Sequence, residues 1–403
     1  MTDAGEQAMR KAWVILAALT FARMTMGFQF QSVPAVGFAL AGEGGMSFAA
    51  LGALSGAYLL PGIAVALAGG WLAQRVGAAR VAFVGLALMT FGGLAGWWIT
   101  DYQAALFWRG IAGIGAVGLN VMGTKMAADW FEGTSNLPTA MGILVASWPA
   151  GIALATLILP FCVNAIGLSA TLLIPAILCG FGWLLLACLW QAPQHHPPVT
   201  QSATRVRFSG LEWLLVCLAG SIWGIYNVAL IGVIAWTPGM LEETGIEAVL
   251  AAASTSQIGW AAIFSVAAGG WLATRSRWRD LPALACFLLS AAIVLALPYM
   301  GQVAGSFWVM FGVGLVIGPA AATIMTLPID ATRVELRAVA MGIFFALYYA
   351  YMGIGPMLFG LLRDFTGFAG APHLLASCLL LLCVLLWFLF RSLQKSPKDS
   401  QPA

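Results

Sequence analysis

Gly69-Gly70-Trp71-Leu72-Ala73-Gln74-Arg75-Val76-Gly77-Ala78-Ala79-Arg80 ends one long apolar run, begins the next, and places two arginines in the short turn between them. Two hundred residues later nearly the same words return as Gly269-Gly270-Trp271-Leu272-Ala273-Thr274-Arg275-Ser276-Arg277-Trp278-Arg279. The offset recurs. Phe107-Trp108 answers to Phe307-Trp308, and Ala140-Met141-Gly142-Ile143 answers to Ala340-Met341-Gly342-Ile343. Three matches at one spacing mark a duplicated chain with two related halves.

Composition names the solvent. Charged residues make up 8% of the chain and hydrophobic residues 61%, with a mean hydropathy of +0.93; a soluble protein carries roughly 25% charged residues. No soluble fold hides that much apolar surface, so lipid must surround it. The seven cysteines all fall in apolar runs without a close CxxC pair, and read as small packing residues, not as disulfides or a metal site. Arg10-Lys11 leads into an apolar run of nearly thirty residues, longer than the about 7–15 of a signal-peptide core, so it is taken as the first membrane span.

A span needs about 20 mostly apolar residues. The sequence predicts twelve, over 12–39, 48–72, 79–99, 102–127, 138–165, 168–190, 211–237, 247–273, 281–299, 303–328, 338–362 and 371–391. The expected organisation is an all-α membrane protein of two pseudo-symmetric six-helix bundles. Residues 1–190 form the first and 211–391 the second, with a cytoplasmic linker at 191–210 and a disordered cytoplasmic tail at 392–403. With the N-terminus inside, the cytoplasmic segments hold Arg10, Lys11, Arg75, Arg80, Arg205, Arg207, Arg275, Arg277, Arg279, Arg333, Arg337, Arg391, Lys395 and Lys398, fourteen of the eighteen basic residues. Both termini are therefore expected in the cytoplasm. Six spans per half make the copies parallel repeats, related by an axis along the membrane normal.

Twelve spans in two six-span halves, with a basic turn between the second and third span of each, resemble the major facilitator superfamily. The family's loop reads roughly Gly-x-x-x-Asp-Arg-x-Gly-Arg-Lys. Gly70, Arg75, Gly77 and Arg80 fit it, with Gln74 in the place of the Asp and Thr274 there in the second copy. Arg109, Gly113 and Gly115 match the family's Arg-x-x-x-Gly-x-Gly in the fourth span. A narrower likeness is to bacterial cyanate, nitrate and small-organic-anion permeases. It is carried by Arg23 to Gly37, Lys125-Met126-Ala127-Ala128-Asp129-Trp130-Phe131, and Ala140 to Ile143 through Ser147-Trp148-Pro149. The resemblance implies secondary transport by alternating access in the bacterial cytoplasmic membrane, the basic turns controlling the change of state. Gly70, Arg75, Gly77, Arg80, Gly270 and Arg275 are the gating candidates.

Ionisable residues at membrane depth are costly, so each is a functional candidate. Arg23 lies eleven residues into the first span, about 16 Å deep at 1.5 Å per residue. No Asp or Glu lies deep in any predicted span, so its counter-charge could be a passing anion, and the family often places an anion-binding Arg there. The alternative is that backbone carbonyls or helix ends hold it. Arg109 could touch substrate, or could only make structural hydrogen bonds beside Gly110, Gly113, Gly115 and Gly118. Lys125 and Asp129, at i and i+4, suit a local ion pair or a gate contact.

Further cavity candidates are Gln29, Asn120, Trp148, Trp223, Tyr226, Asn227, Gln257, Tyr348 and Tyr349, with Gln31 and Tyr351 at comparable depth. Helix–helix hydrogen bonding or an interfacial aromatic belt would explain any one of them equally well. At the repeat spacing, Trp148 pairs with Tyr348 and Arg23 with Trp223, so each pair should face the cavity from equivalent helices. A buried carboxylate relay is missing. Coupling through a counter-anion, a substrate-borne proton or an edge group such as Asp101 or Glu212 follows.

The leading expectation is thus a monomeric secondary transporter of a small anion, with no metal or cofactor and no nucleic-acid partner. Efflux of hydrophobic compounds is the alternative that seventeen Trp and sixteen Met would suit. A polytopic enzyme or receptor has no nucleophile set, paired carboxylates or output domain to support it.

Overall fold

The computed structural model describes residues 3–94, 101–192, 207–275 and 280–394. Its helices are α1 (Asp3–Ala35), α2 (Gly37–Gly44), α3 (Phe48–Leu59), α4 (Gly62–Val76), α5 (Ala78–Leu94), α6 (Tyr102–Phe131), α7 (Leu137–Ile166) and α8 (Leu168–Leu189) in the first half. The second half holds α9 (Gly210–Glu243), α10 (Ala248–Arg275), α11 (Leu281–Ala296), α12 (Phe307–Ile317), α13 (Ala320–Ile324), α14 (Leu327–Ala331), α15 (Arg337–Thr366) and α16 (Ala371–Gln394). No strand occurs among the described residues. Eleven helical segments are long and apolar enough to cross a membrane, and α5 is a shorter apolar helix. All twelve predicted spans find a helical counterpart. Three are interrupted: the first at Val36, the second at Leu60-Pro61, and the tenth at both Gly318-Pro319 and Met325-Thr326.

The basic turn between α4 and α5 is a single residue. α4 ends at Val76, Gly77 adopts φ +93°, and α5 begins at Ala78. A positive φ suits glycine because it has no Cβ to clash. Arg75 and Arg80 flank this turn and are exposed. In the second copy Gly270 faces Ala322 across ordinary van der Waals distance, while Gly269 packs directly on Pro319. The side chains of residues 69–74 and of Arg275 lie outside the description, as do Arg205, Arg277, Arg279, Lys395 and Lys398 and most of the expected linker. The last helix runs through Gln394, past the expected tail boundary at 392, and its Arg391 pairs with Asp280, the residue before α11, at 2.7 Å.

α1 packs on α7, α8 and α3, and α9 correspondingly packs on α15, α16 and α10. The halves meet along two seams, α3 and α4 against α15, and α10 against α7. These seams exchange under the repeat, since α3/α4 corresponds to α10 and α7 to α15. At the end remote from the termini the contact is tight. A Cβ at Gly52, Gly56 or Gly360 would collide with the backbone of Pro356, Gly353 or Phe48. Asp364 of the second half accepts the N–H of Phe48 at 3.0 Å and of Ala49 at 2.8 Å, the first N–H groups of α3. Arg363 pairs with Glu243 and lies over the Phe48 ring.

Lipid offers no hydrogen bonds, so a backbone carbonyl that loses its helical donor must find another inside the protein. The break at Gly318-Pro319 creates such a case. Ala321 N–H turns to Gly318 O at 3.1 Å, which leaves Ile317 O without its i+4 donor; Tyr226 Oη supplies one at 2.8 Å. A buried unsatisfied carbonyl costs about 1–3 kcal/mol. Tyr226→Phe keeps the ring and bares this carbonyl. Its thermal unfolding midpoint in detergent should fall below the parent's by several degrees, and an unchanged midpoint would contradict the assignment.

Candidate functional site

Gly27 and Gly151 bring α1 and α7 into backbone contact, where a Cβ on Gly27 would strike the Trp148 carbonyl and one on Gly151 the Met24 carbonyl. One turn nearer the termini, this approach sets Arg23 against α7. The carbonyl of Val145 should receive the N–H of residue 149, but residue 149 is proline and has none. Arg23 Nη1 donates to Val145 O at 3.0 Å, to Leu144 O at 2.8 Å and to Ser147 Oγ at 3.2 Å. Its Nε donates to Asn120 Oδ1 at 2.8 Å. Nη2 makes no hydrogen bond to a described residue, and no described carboxylate pairs with the guanidinium.

Arg109 solves the same problem on the other face of α1. Pro34 deprives Phe30 O of its donor, and Arg109 Nη2 supplies one at 3.0 Å. Its Nη1 reaches Gln29 O at 2.8 Å and its Nε reaches Leu54 O at 3.2 Å, with Tyr58 4.7 Å beneath the guanidinium. Every nitrogen is engaged and the residue is buried.

A cavity of about 330 Å³ lies between the halves. Arg23, Asn120, Trp148, Trp223, Tyr226, Asn227, Tyr348 and Tyr349 all line it, together with aliphatic residues of α7, α9 and α10. Both repeat-related pairs, Trp148 with Tyr348 and Arg23 with Trp223, therefore face it. Trp223 stacks with Tyr226 (5.8 Å) and Phe344 (6.1 Å), and Tyr348 lies tilted against it at 6.0 Å. Gly62 makes room for the Tyr349 ring, since a Cβ there would overlap it. Asn120 Nδ2 donates to Tyr349 Oη at 3.3 Å, and Asn227 Nδ2 donates to Trp223 O at 2.8 Å.

Three candidates lie elsewhere. Arg109 is consumed by carbonyls of α1 and α3. Gln29 is buried between Met89 O, 2.8 Å from its Nε2, and Tyr58 Oη, 3.1 Å from its Oε1. Gln257 turns back on its own helix, donating to Ala253 O at 3.2 Å. Each has a protein partner for the polarity that made it a candidate. Lys125 and Asp129 form an ion pair at 2.8 Å, away from the cavity.

The edge carboxylates considered for proton coupling are engaged at helix starts. Asp101 accepts the N–H of Gln103 at 3.1 Å and caps α6. Glu212 closes a capping box with Ser209 and pairs with Arg333 at 2.9 Å, and that hydrogen bond holds the Arg333 guanidinium above its ordinary range. No Asp or Glu among the described residues lines the cavity. Sequence reading missed Asp364 and Ser147, whose signals were only a polar residue near a span end and a serine one turn from Arg23. It also placed His373 at a span end without its burial; the ring is enclosed, with Nε2 3.0 Å from Thr237 Oγ1.

The cavity narrows toward the end remote from the termini, where Gly259 packs on Ala153 and the α3–α15 seam closes. Toward the termini its lining includes the exposed Gly142, Val145 and Ala267.

Solved structures share the overall fold. A bacterial homologue of the human lysosomal transporter Spinster, inward-facing and occupied, matches over 94% of this chain and 96% of its own, at 18% identity and a TM-score of 0.70. The same type of protein in its inward-facing, unoccupied conformation matches over 97% and 99%, at 15% identity and a TM-score of 0.72. The nucleoside transporter NupG, as a mutant, matches over 94% and 99%, at 14% identity and a TM-score of 0.72. At these identities the likeness speaks for the fold. No curated protein matches in sequence. The family model of the Major Facilitator Superfamily matches residues 15–356, and the chain belongs to that superfamily as an integral membrane protein.

Proposed function

We propose that the chain is a secondary transporter of a small organic anion, working by alternating access in the bacterial cytoplasmic membrane with both termini inside. The observation that carries this is Arg23. It lines a largely apolar cavity, is held in place through Nε and Nη1 alone, and has no carboxylate partner among the described residues. A half-buried cation at membrane depth without a counter-charge is costly, and an anionic ligand relieves it.

Cavity size supports an organic ligand over a triatomic ion. A water in the liquid occupies about 30 Å³, so about 330 Å³ holds a body several times larger, and aromatic and aliphatic walls suit an apolar one. With the basic residues marking the cytoplasmic side, the cavity opens inward, the state in which the similar Spinster homologue was solved. Bringing a monoanion into an inside-negative cell costs about 2.3 kcal/mol per 100 mV. With no carboxylate in the cavity to carry a proton, exchange for an internal anion or a proton carried on the substrate supports net movement. The apolar walls also favour a second reading, export of neutral hydrophobic compounds.

Uptake into proteoliposomes separates the two. Labelled benzoate, butyrate and nitrate, each with and without internal counter-anion or a pH gradient, should show saturable movement of the organic acids. Arg23→Gln should lower that uptake by about tenfold or more, the scale of losing a charge-assisted contact. Movement of neutral benzamide with no benzoate uptake, unaffected by Arg23→Gln, would favour export of neutral compounds instead.

The closed seam makes a second prediction. Gly56→Leu wedges α3 from α15 and should bias the protein toward the state open on the far side. In right-side-out vesicles an Ile231→Cys probe should then label faster with an impermeant maleimide than the same probe in the parent background, with Gly56→Leu alone marking the contribution of the native cysteines. Equal labelling would show that the seam does not govern access.

A further inference from the structure

We infer that Asn120 is a positioning residue that fixes Arg23 in its anion-receiving orientation and ties that orientation to the second half through Tyr349. The inference rests on the reading of Arg23 as the anion site. Asn120 acts through its neighbours rather than as the first ligand contact its residue type suggests, because each end of its amide already holds a protein partner. Oδ1 accepts Arg23 Nε–H at 2.8 Å, and Nδ2 donates to Tyr349 Oη at 3.3 Å.

Three consequences follow from donor and acceptor roles. First, Arg23 is clamped along one edge, Nε by Asn120 and Nη1 by the α7 carbonyls, which leaves the Nη2 donors for a ligand. Second, Tyr349 Oη acts as acceptor toward Asn120, so its own proton remains to be donated. Tyr349 lines the same cavity, and each half thus contributes a spare donor. An anion with two oxygens can take one from each. Third, a neutral amide accepts from Arg23 without cancelling its charge, as a carboxylate at 2.8 Å would.

The link also crosses the molecule. Arg23 and Asn120 stand on α1 and α6 of the first half, and Tyr349 on α15 of the second. Among the described residues the other hydrogen bonds between halves are those of Asp364 to the start of α3, at the closed end. Asn120–Tyr349 is the one at the cavity. A ligand that engages Arg23 therefore acts on a group already bonded, through one amide, to the half that must move.

The test compares benzoate with benzamide, its neutral counterpart, by fluorescence titration on the purified full chain (Trp148 and Trp223 line the cavity) and by uptake. Asn120→Asp should pair with Arg23 and weaken benzoate binding by about tenfold or more, while weak benzamide binding stays within about twofold. Tyr349→Phe keeps the Arg23–Asn120 bond and cuts the link between halves. It should lower the maximal uptake rate severalfold, with a smaller change in the half-saturating concentration.

If the parent binds benzoate in preference to benzamide and Asn120→Asp binds it equally well, the positioning role is wrong and the anion reading stands. If Asn120→Asp loses both compounds together, the residue is merely structural and the inference fails. If Tyr349→Phe transports like the parent, the coupling across the halves fails. If the parent shows no preference for benzoate, the anion reading itself falls, and this inference with it.

Discussion

A carbonyl that loses its helical donor inside a membrane has no water to turn to, and this constraint shapes the first half of the protein. Pro34 and Pro149 each free one carbonyl, on Phe30 and Val145 respectively, and each is met by an arginine from another helix at 3.0 Å. Where the second half breaks at Gly318-Pro319, the donor is a tyrosine. The prolines thus give the buried polar side chains fixed addresses. Helix-breaking residues are tolerated at membrane depth because neighbouring side chains repair what they leave open.

The two arginines start from the same chemistry and end in different roles because of what surrounds the remainder of the guanidinium. Arg109 spends Nε, Nη1 and Nη2 on three carbonyls and rests on Tyr58, so it binds α1, α3 and α6 into one unit. Arg23 spends Nε and Nη1 and lines the cavity between the halves. Anchoring through carbonyls is compatible with the ligand-binding role proposed for Arg23: the anchor holds Nε and Nη1 and leaves Nη2 over. Glycine contacts between α1 and α7 and across the α3–α15 seam set the distances at which this geometry works.

Much of the fold was legible in the sequence because the repeat, the apolar run lengths and the basic turns are properties of the chain read along its length. The turn at Gly77 and the correspondence of Trp148 with Tyr348 and of Arg23 with Trp223 follow from the offset alone. The direction a residue faces was not legible. Helices that are apolar on every side carry no stripe to mark the cavity, so Gln29, Arg109 and Gln257 looked the same as Asn120 and Asn227. What separates them is the helix face they occupy: Asn120 and Asn227 line the cavity, whereas Gln29, Arg109 and Gln257 do not. Pro149 lies four residues after Val145 and Pro34 four after Phe30, so the orphaned carbonyls could be named from sequence, whereas their donors could not. Asp364 was invisible for a related reason: a carboxylate near a span end reads as solvent-facing until α3 is seen to begin beneath it.

The claim that these arginines are placed by proline-freed carbonyls is tested most directly by a double-mutant cycle on Pro34 and Arg109, since Arg109 lines no part of the central cavity. Unfolding free energies in mixed micelles would be compared for the parent, Pro34→Ala, Arg109→Leu and the double variant. Pro34→Ala gives Phe30 O back its helical donor, so Arg109→Leu should be less damaging in that background, with a coupling energy on the order of 1–2 kcal/mol. Additivity within about 0.5 kcal/mol would mean that the proline and the arginine are independent, and would contradict the account.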